Sequence, residues 1–256
     1  MEPTSEVDSI FLKTHLVGGG RAEQQGAGWR LTLPATTDAA YSDAQLDDYD
    51  VVVRDFVHRP PLRLKLRARF SSNTLKGTAG FGFWNHPFGQ EGQMQAAPQN
   101  VWFFHSSPES DLRVVRGVPG HGFKAAMLNS PQITSATAMP RRVGRLLDRL
   151  LVIRPLARMA MAAAQSVVRA GETRLSTDMT RWHEYELDWR ADEAVFRVDR
   201  QDVLRVPKPP MGPLGLVMWI DNYRAVAAEG RYEFGYVACA DEQWMEVEVL
   251  TQEFRV

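Results

Sequence analysis

Cysteine is almost absent from this chain of 256 residues, in which Cys239 is the only one. One thiol cannot form an intramolecular disulfide, and one thiolate cannot build a metal cluster. The sequence therefore excludes a disulfide-stabilised framework, and we interpret Cys239 as a small buried apolar residue.

The chain also lacks an excess of charge of either sign. Its 30 Lys and Arg residues nearly balance 31 Asp and Glu residues, which leaves a net charge of −1 at pH 7. Proteins that bind nucleic acid generally present a strong positive field to the phosphate backbone. We therefore predict that nucleic acid is not a partner.

Long apolar runs are missing as well. A membrane-spanning helix needs about 20 mostly apolar residues, and Arg154 and Arg158 interrupt the Leu- and Met-rich segment of this chain. A secretory signal needs a basic start followed by about 7–15 apolar residues, whereas this N-terminus carries Glu2 and Glu6 and only short apolar runs. We therefore expect a cytoplasmic protein without a transmembrane segment.

Common motifs of catalysis and cofactor binding are not found. The chain has no Gly-rich phosphate loop between a strand and a helix, no HExxH and no Gly-x-Ser-x-Gly, so we predict no cofactor and no metal site. The acidic segment 41–50, YSDAQLDDYD, offers oxygen ligands for calcium but misses the EF-hand spacing. We interpret it as a solvated acidic turn, with a calcium site as the alternative.

Alternation of apolar and charged residues is what the chain has instead. In residues 62–70, LRLKLRARF, every second residue is apolar and the residues between are Arg or Lys. This period of two is typical of an antiparallel strand buried on one face. Similar runs predict strands at 29–33, 51–53, 80–84, 101–106, 185–189, 195–199, 216–221 and 245–251. Many short strands separated by turn residues favour the all-β class, as an antiparallel β-sandwich or jelly roll.

One region, residues 140–170, has helical rather than strand periodicity. Pro155 is expected to kink or split this helix, because an interior proline costs about 3 kcal/mol. Eight arginines against two acidic residues over 141–174 give a local charge of +6. We predict one domain over residues 1–256 with a basic amphipathic helical insertion at 139–171. The insertion could pack on the sandwich, form a lid over a ligand cleft, or make a peripheral membrane contact.

The segment 177–223 resembles the C-terminal sheet of family-16 glycoside hydrolases, the laminarinase-like enzymes. The matching residues are Trp182, His183, Tyr185 and Trp189, followed by the tip of a hairpin at Val198, Asp199, Arg200 and Gln201. The resemblance implies a concanavalin A-like β-sandwich and a carbohydrate ligand. The active-site strand of that family carries a Glu-x-Asp-x-x-Glu motif, which this chain lacks. The resemblance therefore predicts the fold and leaves the reaction open.

Strand alternation also predicts which side chains point away from the core. If Leu216, Met218 and Ile220 face the core, Trp219 and Asp221 face the opposite surface. The resemblance implies that the sheet forms a cleft on that side, lined by aromatic rings. In strand 80–84 the outward glycines Gly80 and Gly82 would leave room there for a ligand to approach the backbone.

Two titratable residues are candidates for acid or base catalysis. Asp221 would share a face with Trp219, where an apolar cleft would raise its pKa. His105 follows a run of aromatic residues, and histidine side chains ordinarily titrate near neutral pH, although a structural role is the alternative. The candidate ligand-binding residues lie at the same strand ends and loops: Trp84, Asn85, Trp102, Lys124, Trp219, Asn222 and Tyr223.

Three functional hypotheses follow from these observations. In the first, an intracellular sandwich binds a hydrophobic or amphiphilic small molecule in an aromatic cleft and promotes a cyclisation or isomerisation by acid catalysis. In the second, the protein binds or hydrolyses carbohydrate with a nonstandard active site. In the third, it is a noncatalytic protein that contacts a membrane surface, or lipid, through residues 140–170.

Overall fold

The structure is a computed structural model that describes residues 12–50, 52–87, 96–115, 117–130, 169–228 and 231–254. These residues form sixteen β-strands and, within the same ranges, no helix. The strands are β1 Lys13–Val17, β2 Arg21–Gln25, β3 Gly28–Leu33, β4 Asp43–Asp47, β5 Leu62–Phe70, β6 Thr78–Trp84, β7 Gln99–Ser106, β8 Gly122–Asn129, β9 Arg169–Arg174, β10 His183–Trp189, β11 Glu193–Val198, β12 Gln201–Pro207, β13 Gly215–Asp221, β14 Tyr223–Ala228, β15 Arg231–Tyr236 and β16 Gln243–Phe254. The predicted all-β class is confirmed.

Two seven-stranded antiparallel sheets make up the molecule. The first sheet has the order β1-β4-β13-β6-β7-β8-β9, and the second has the order β12-β11-β10-β5-β16-β3-β2. Strands β14 and β15 form a separate hairpin that continues from the end of β13. Six of the twelve neighbouring pairs in these two sheets, including β4–β13 and β5–β16, join strands that are not consecutive in the chain, as in a jelly roll.

Strand β5 shows why the alternating pattern predicts the second sheet correctly. Its apolar residues are buried, while its basic residues lie on the outer face. There Arg67 donates to Glu248 at 2.6 Å, and Arg69 donates to Glu246 at 2.5 Å, both across the β5–β16 pair. Opposite charges placed across neighbouring strands stabilise their pairing. The outer face of the second sheet is therefore a ladder of ion pairs.

The core lies between the two sheets and is rich in aromatic rings. Phe81 and Phe103 of the first sheet contact Tyr185 of the second, with ring centroids 5.0 and 5.1 Å apart. Phe196 packs edge-on against Phe103 at 5.4 Å. All four side chains are buried, and aromatic side chains of this size dominate the energy of a core.

The outer face of the first sheet, which points away from the second sheet, is also apolar. A second hydrophobic cluster lies there, which we call the aromatic face: Tyr49, Phe56, Trp84, Trp102, Phe104, Leu112, Val217 and Trp219. An antiparallel sheet commonly leaves one face in water. The first sheet instead carries apolar side chains on both faces.

Several predicted elements need correction. Val52 and Val53 lie in a turn rather than a strand, because the Asp50 carboxylate accepts hydrogen bonds from both of their amides at 2.7 and 2.8 Å. The predicted acidic turn at 41–50 instead contains β4, a strand that is buried along its whole length. The alternation that placed strands at 80–84, 101–106 and 216–221 is confirmed.

The predicted helical insertion falls largely outside the described residues, which resume at 169. Its last three residues, 169–171, belong to β9 and not to a helix, because β9 pairs with β8 over 169–174. The packing, lid and membrane roles of the segment therefore stay predictions. Among the described residues, no helix has the length and hydropathy to cross a membrane.

Candidate functional site

The outer face of the first sheet brings polar and aromatic residues of β4 and β13 side by side. Asp43 lies directly opposite Asp221, and Gln45 lies opposite Trp219. Asp47 follows on the same face of β4, since alternate residues of a strand share a face. The face therefore carries three carboxyl groups and an amide next to the aromatic residues.

The tryptophans of the aromatic face pack against one another. The Trp84 and Trp219 rings are stacked with an interplanar angle of 8° and centroids 6.5 Å apart. Trp102 lies 5.2 Å from Trp219 and 5.4 Å from Phe104. Trp219 is only 7% exposed, whereas Trp84 and Trp102 are partly exposed. Water or a ligand can therefore reach the edge of the cluster at Trp84 and Trp102.

Gly80 of β6 has a different role from the predicted one. A Cβ atom at this position would lie 2.9 Å from the Trp219 ring and 2.4 Å from the Phe103 carbonyl oxygen. The indole of Trp219 therefore fills the space over Gly80 that the sequence predicted for a ligand. At Gly82 a Cβ atom would strike the backbone of β7, 2.6 Å from the Trp102 Cα. Both glycines thus allow close packing within the sheet.

Two hydrogen bonds hold the indole groups in place. The Trp84 Nε1 donates to the Tyr49 hydroxyl at 2.5 Å. The Trp219 Nε1 donates to Thr78 Oγ1 at 2.9 Å, and this hydroxyl donates in turn to Asp221 Oδ1 at 2.6 Å. The chain of hydrogen bonds connects the aromatic face to the buried carboxyl of Asp221.

Asp221 and Asp43 form a buried carboxyl pair. Asp221 is 6% exposed and accepts hydrogen bonds from the Thr78 amide at 3.2 Å and the Tyr223 amide at 3.0 Å, while its Oδ2 accepts one from the Tyr41 hydroxyl at 3.2 Å. Asp43 is 1% exposed, and its Oδ1 has no hydrogen-bond partner among the described residues. Directly opposed residues of an antiparallel pair have Cβ atoms about 4.5–5.5 Å apart, so the two carboxyl groups are close neighbours.

Burial and mutual repulsion change the protonation of this pair. Burial raises the pKa of Asp221 to about 6, although hydrogen bonds from Thr78, Tyr223 and Tyr41 oppose the shift. The pKa of Asp43 lies well above its ordinary value because of burial and then because of the neighbouring Asp221 charge. Two close carboxyls cannot both ionise readily. The pair therefore retains a proton near neutral pH, which is a property that acid catalysis requires.

His105, the second predicted catalytic residue, lies elsewhere. It shares the core-facing side of β7 with Val101 and Phe103, whereas Asp221 is on the outer face. Its Nε2 is 3.1 Å from the Leu75 carbonyl oxygen, and burial lowers its pKa to about 4. The structure therefore does not bring His105 and Asp221 together.

Lys124 is on the outer face, but its ammonium group is occupied. It donates to the Leu112 and Pro119 carbonyl oxygens, each at 3.2 Å, and to Glu172 Oε2 at 2.8 Å. An ammonium group has three donors, so no hydrogen remains for a ligand. The second oxygen of Glu172 accepts from the Val115 amide at 2.9 Å. The pair fixes the loop between β7 and β8 in place.

The two predicted asparagines hold loops together. Asn85 donates to the Ala97 carbonyl at 2.8 Å and accepts from the Gln99 amide at 2.9 Å. Asn222 is fully buried, donates to the Ala40 carbonyl at 2.9 Å and accepts from the Ser42 amide at 2.9 Å. The amide groups of these side chains therefore face protein rather than solvent, and a direct contact with a ligand stays a prediction for both.

Of the remaining candidates, the structure places Trp84, Trp102 and Trp219 in one cluster and Tyr223 beyond Asp221 at the start of β14. Sequence reasoning did not place on this face the polar residues that β4 and the residues flanking it contribute: Tyr41, Asp43, Gln45, Asp47 and Tyr49. The alternation of these residues with the apolar Ala44 and Leu46 is the feature that predicts a strand here.

The two packed antiparallel sheets form a concanavalin A-like β-sandwich. This confirms the fold that the resemblance to family-16 glycoside hydrolases implied. The resembling hairpin is confirmed too, since Val198 pairs with Gln201 and the tip residues Asp199 and Arg200 have φ of 48° and 68°.

Solved structures with a similar fold include lectin-like domains and glycoside hydrolases. A legume lectin-like domain from Entamoeba histolytica is 7% identical over 96% of this chain and 90% of that one, with a TM-score of 0.50. The κ-carrageenase from Zobellia galactanivorans is 10% identical over 89% of this chain and 79% of that one, with a TM-score of 0.51. A family-16 mixed-linkage glucan hydrolase from Bacteroides ovatus, solved with its product, is 9% identical over 95% and 96%, with a TM-score of 0.48. No protein-family model and no curated protein sequence matches the chain.

Proposed function

We propose that the protein is a carbohydrate-binding concanavalin A-like sandwich whose ligand rests on the exposed edge of the aromatic face, at Trp84 and Trp102. The observation that carries this proposal is that large indole rings on the outer side of the first sheet remain partly exposed. Flat rings suit the apolar faces of sugar rings, and the buried Tyr49 hydroxyl holds the Trp84 indole in place by accepting its hydrogen bond.

The chemistry of the neighbouring strand supports the same ligand class. Asp47 and Gln45 share the outer face of β4, and the Gln45 amide donates to Asp47 Oδ2 at 2.7 Å. Carboxylate and amide oxygens accept hydrogen bonds from hydroxyl groups. Two solved structures of similar fold, at TM-scores of 0.50 and 0.51, are a legume lectin-like domain and a κ-carrageenase, which makes saccharides the first ligands to test.

The test is titration with neutral and sulfated oligosaccharides, followed by tryptophan fluorescence and calorimetry. We expect at least one oligosaccharide to bind, and Trp102→Ala to weaken binding about tenfold or more, since losing a stacked ring removes both contact area and orientation. Trp84→Ala should have a similar effect.

Trp182→Ala is the matched control. Trp182 directly precedes β10 of the second sheet, and its ring lies 4.8 Å from the Arg67 guanidinium and 5.0 Å from that of Arg69 on β5. This variant should bind like the parent protein. Equal loss in Trp102→Ala and Trp182→Ala, or no response to any saccharide, would overturn the proposal.

A hydrophobic or amphiphilic small molecule is the second candidate ligand. Polar groups near the aromatic face already form hydrogen bonds within the chain, which favours a ligand with few polar groups of its own. These groups are the Lys124 ammonium, the Asn85 amide and the Thr78 hydroxyl. Binding of an apolar fluorescent probe that Trp102→Ala abolishes, without any saccharide binding, would select this ligand. If such a ligand is then converted, loss of turnover in Asp221→Asn would assign acid catalysis to Asp221.

A further inference from the structure

Three tyrosines cluster beyond the Asp43–Asp221 pair, at the end of the first sheet opposite to Trp84. Tyr41 precedes β4, whereas Tyr223 and Tyr236 are paired residues of the β14–β15 hairpin. Their ring centroids are 5.5 Å apart for Tyr41 and Tyr236, 6.4 Å for Tyr223 and Tyr236, and 6.5 Å for Tyr41 and Tyr223. The cluster is separate from the aromatic face.

The three rings pack against one another. Tyr41 and Tyr223 meet edge to face at 83°, and Tyr236 lies 5.5 Å from Tyr41 with its plane tilted by 33°. A cation would therefore contact the outward faces of the rings, within roughly 6 Å of a ring centroid. The rings are partly exposed, and Phe234 beside Tyr223 is 51% exposed, so a small molecule can reach them.

The Asp43–Asp221 pair beneath the rings retains one proton near neutral pH, and its second carboxyl is then a buried negative charge. The Tyr41 hydroxyl is bonded to Asp221 Oδ2 at 3.2 Å, and the neighbouring Asp43 leaves a buried oxygen without a hydrogen-bond partner in the described part of the chain. Burial is the largest cause of the raised pKa of both carboxyls, and no ion pair among the described residues includes either of them. A buried carboxylate is costly unless a positive charge or a proton accompanies it.

We propose that Tyr41, Tyr223 and Tyr236, together with the Asp43–Asp221 pair, form a binding site for an organic ammonium group. Aromatic ring faces favour a weakly hydrated organic cation. A divalent metal would require more oxygen ligands than this pair supplies, and the described residues contain no cluster of three or more acidic or His side chains suited to a metal. The proposal is independent of saccharide binding.

The experiment compares choline with 3,3-dimethyl-1-butanol, a neutral molecule of the same shape, at constant ionic strength and pH 7.5. Calorimetry and the NMR signals of the tyrosine rings report binding. We expect choline to bind at least about tenfold more tightly than the neutral alcohol, since only the cation interacts with the rings and the carboxyl pair. Equal binding of the two molecules, or no choline binding below about 50 mM, would overturn the proposal.

Variants locate the site. Tyr223→Leu and Asp221→Asn should each weaken choline binding at least about fivefold, whereas Tyr223→Phe, which keeps the ring, should not. Trp102→Leu, at the other end of the sheet, is the control and should leave choline binding unchanged. If Tyr223→Leu does not fold, the comparison of Tyr223→Phe with Asp221→Asn still decides. Choline binding that survives in Asp221→Asn would sink the assignment, and so would its loss in Trp102→Leu.

Discussion

Asp221 lies under three kinds of hydrogen-bond donor, namely backbone amides, the Thr78 hydroxyl and the Tyr41 hydroxyl, and beside a second buried carboxyl. The donors favour its ionised form, but burial outweighs them, and the result is a pKa of about 6. Ionisation of such a carboxyl lowers the stability of the folded protein. Carboxyls with strongly shifted pKa values are found mostly at functional sites.

The pH dependence of stability tests this assignment at the residue scale. Because the folded pKa of Asp221 is raised from 3.8 to about 6, the folded protein holds this proton more tightly than the unfolded chain. Its contribution to the free energy of unfolding is therefore largest below pH 4 and is lost as the pH rises to about 6. Two pKa units correspond to roughly 3 kcal/mol. Denaturant unfolding of Asp221→Asn should thus show a gain relative to the parent protein, growing toward that size between pH 4 and pH 7.5.

The control for this prediction is Asp199→Asn. Burial raises the pKa of Asp199, but three effects together lower it by more: the hydrogen bond with His183, the hydrogen bond from the Glu184 amide and the His183 charge. The net result is a lowered pKa. Removing this carboxylate should bring no gain with rising pH. A difference between Asp221→Asn and the parent that is constant across the pH range would show that Asp221 titrates normally.

At the scale of elements, the Lys124–Glu172 pair decides where the loop between β7 and β8 lies. Both side chains are almost fully buried, and together they bind the Leu112 and Pro119 carbonyls and the Val115 amide. The loop in turn places Leu112 on the aromatic face. The pair therefore contributes to the candidate site by holding a neighbouring element.

Removing one charge of this pair should be strongly destabilising. We expect Lys124→Met to lower the free energy of unfolding by about 3–5 kcal/mol, because Glu172 would remain buried without its cation. The double variant Lys124→Met/Glu172→Gln should recover part of that loss, since the glutamine oxygen can still accept from the Val115 amide. Urea unfolding of the three proteins measures this, and a single variant within about 1 kcal/mol of the parent would contradict a buried ion pair.

At the scale of the whole molecule, the aromatic core joins the two sheets into one unit. Phe103 contacts Phe81 within the first sheet and Tyr185 and Phe196 of the second. Neither sheet can bury this surface without the other, so the sheets should unfold together.

Phe103→Ala tests this coupling. We expect it to cost about 3–5 kcal/mol, because a large buried ring is replaced by a cavity. The urea midpoint measured by far-ultraviolet circular dichroism should still coincide with the midpoint measured by tryptophan fluorescence. Phe234→Ala, at an exposed ring, is the control and should leave the midpoint nearly unchanged. Separate transitions for the two probes would show that the sheets unfold independently.

Most strands of the sandwich could be predicted from the sequence, because apolar residues of a half-buried strand face the core and polar residues face the solvent. The core positions Leu216, Met218 and Ile220 and the outward Trp219 followed from alternation alone. The same reasoning was wrong at Val52 and Val53. The apolar run there is short, and the Asp50 carboxylate stabilises a turn by accepting hydrogen bonds from both amides.

The fold class, the resembling hairpin and the outward tryptophans could be predicted because they depend on neighbours in sequence. The pairing of Asp43 with Asp221 could not, since it joins strands that are distant in the chain and depends on their register. Acidic residues in 41–50 indicated a solvated turn, yet Tyr41 and the neighbouring strands bury them. Burial and register are properties of the packed sheets, and they alone bring two carboxyls and three tyrosines to one end of the outer face.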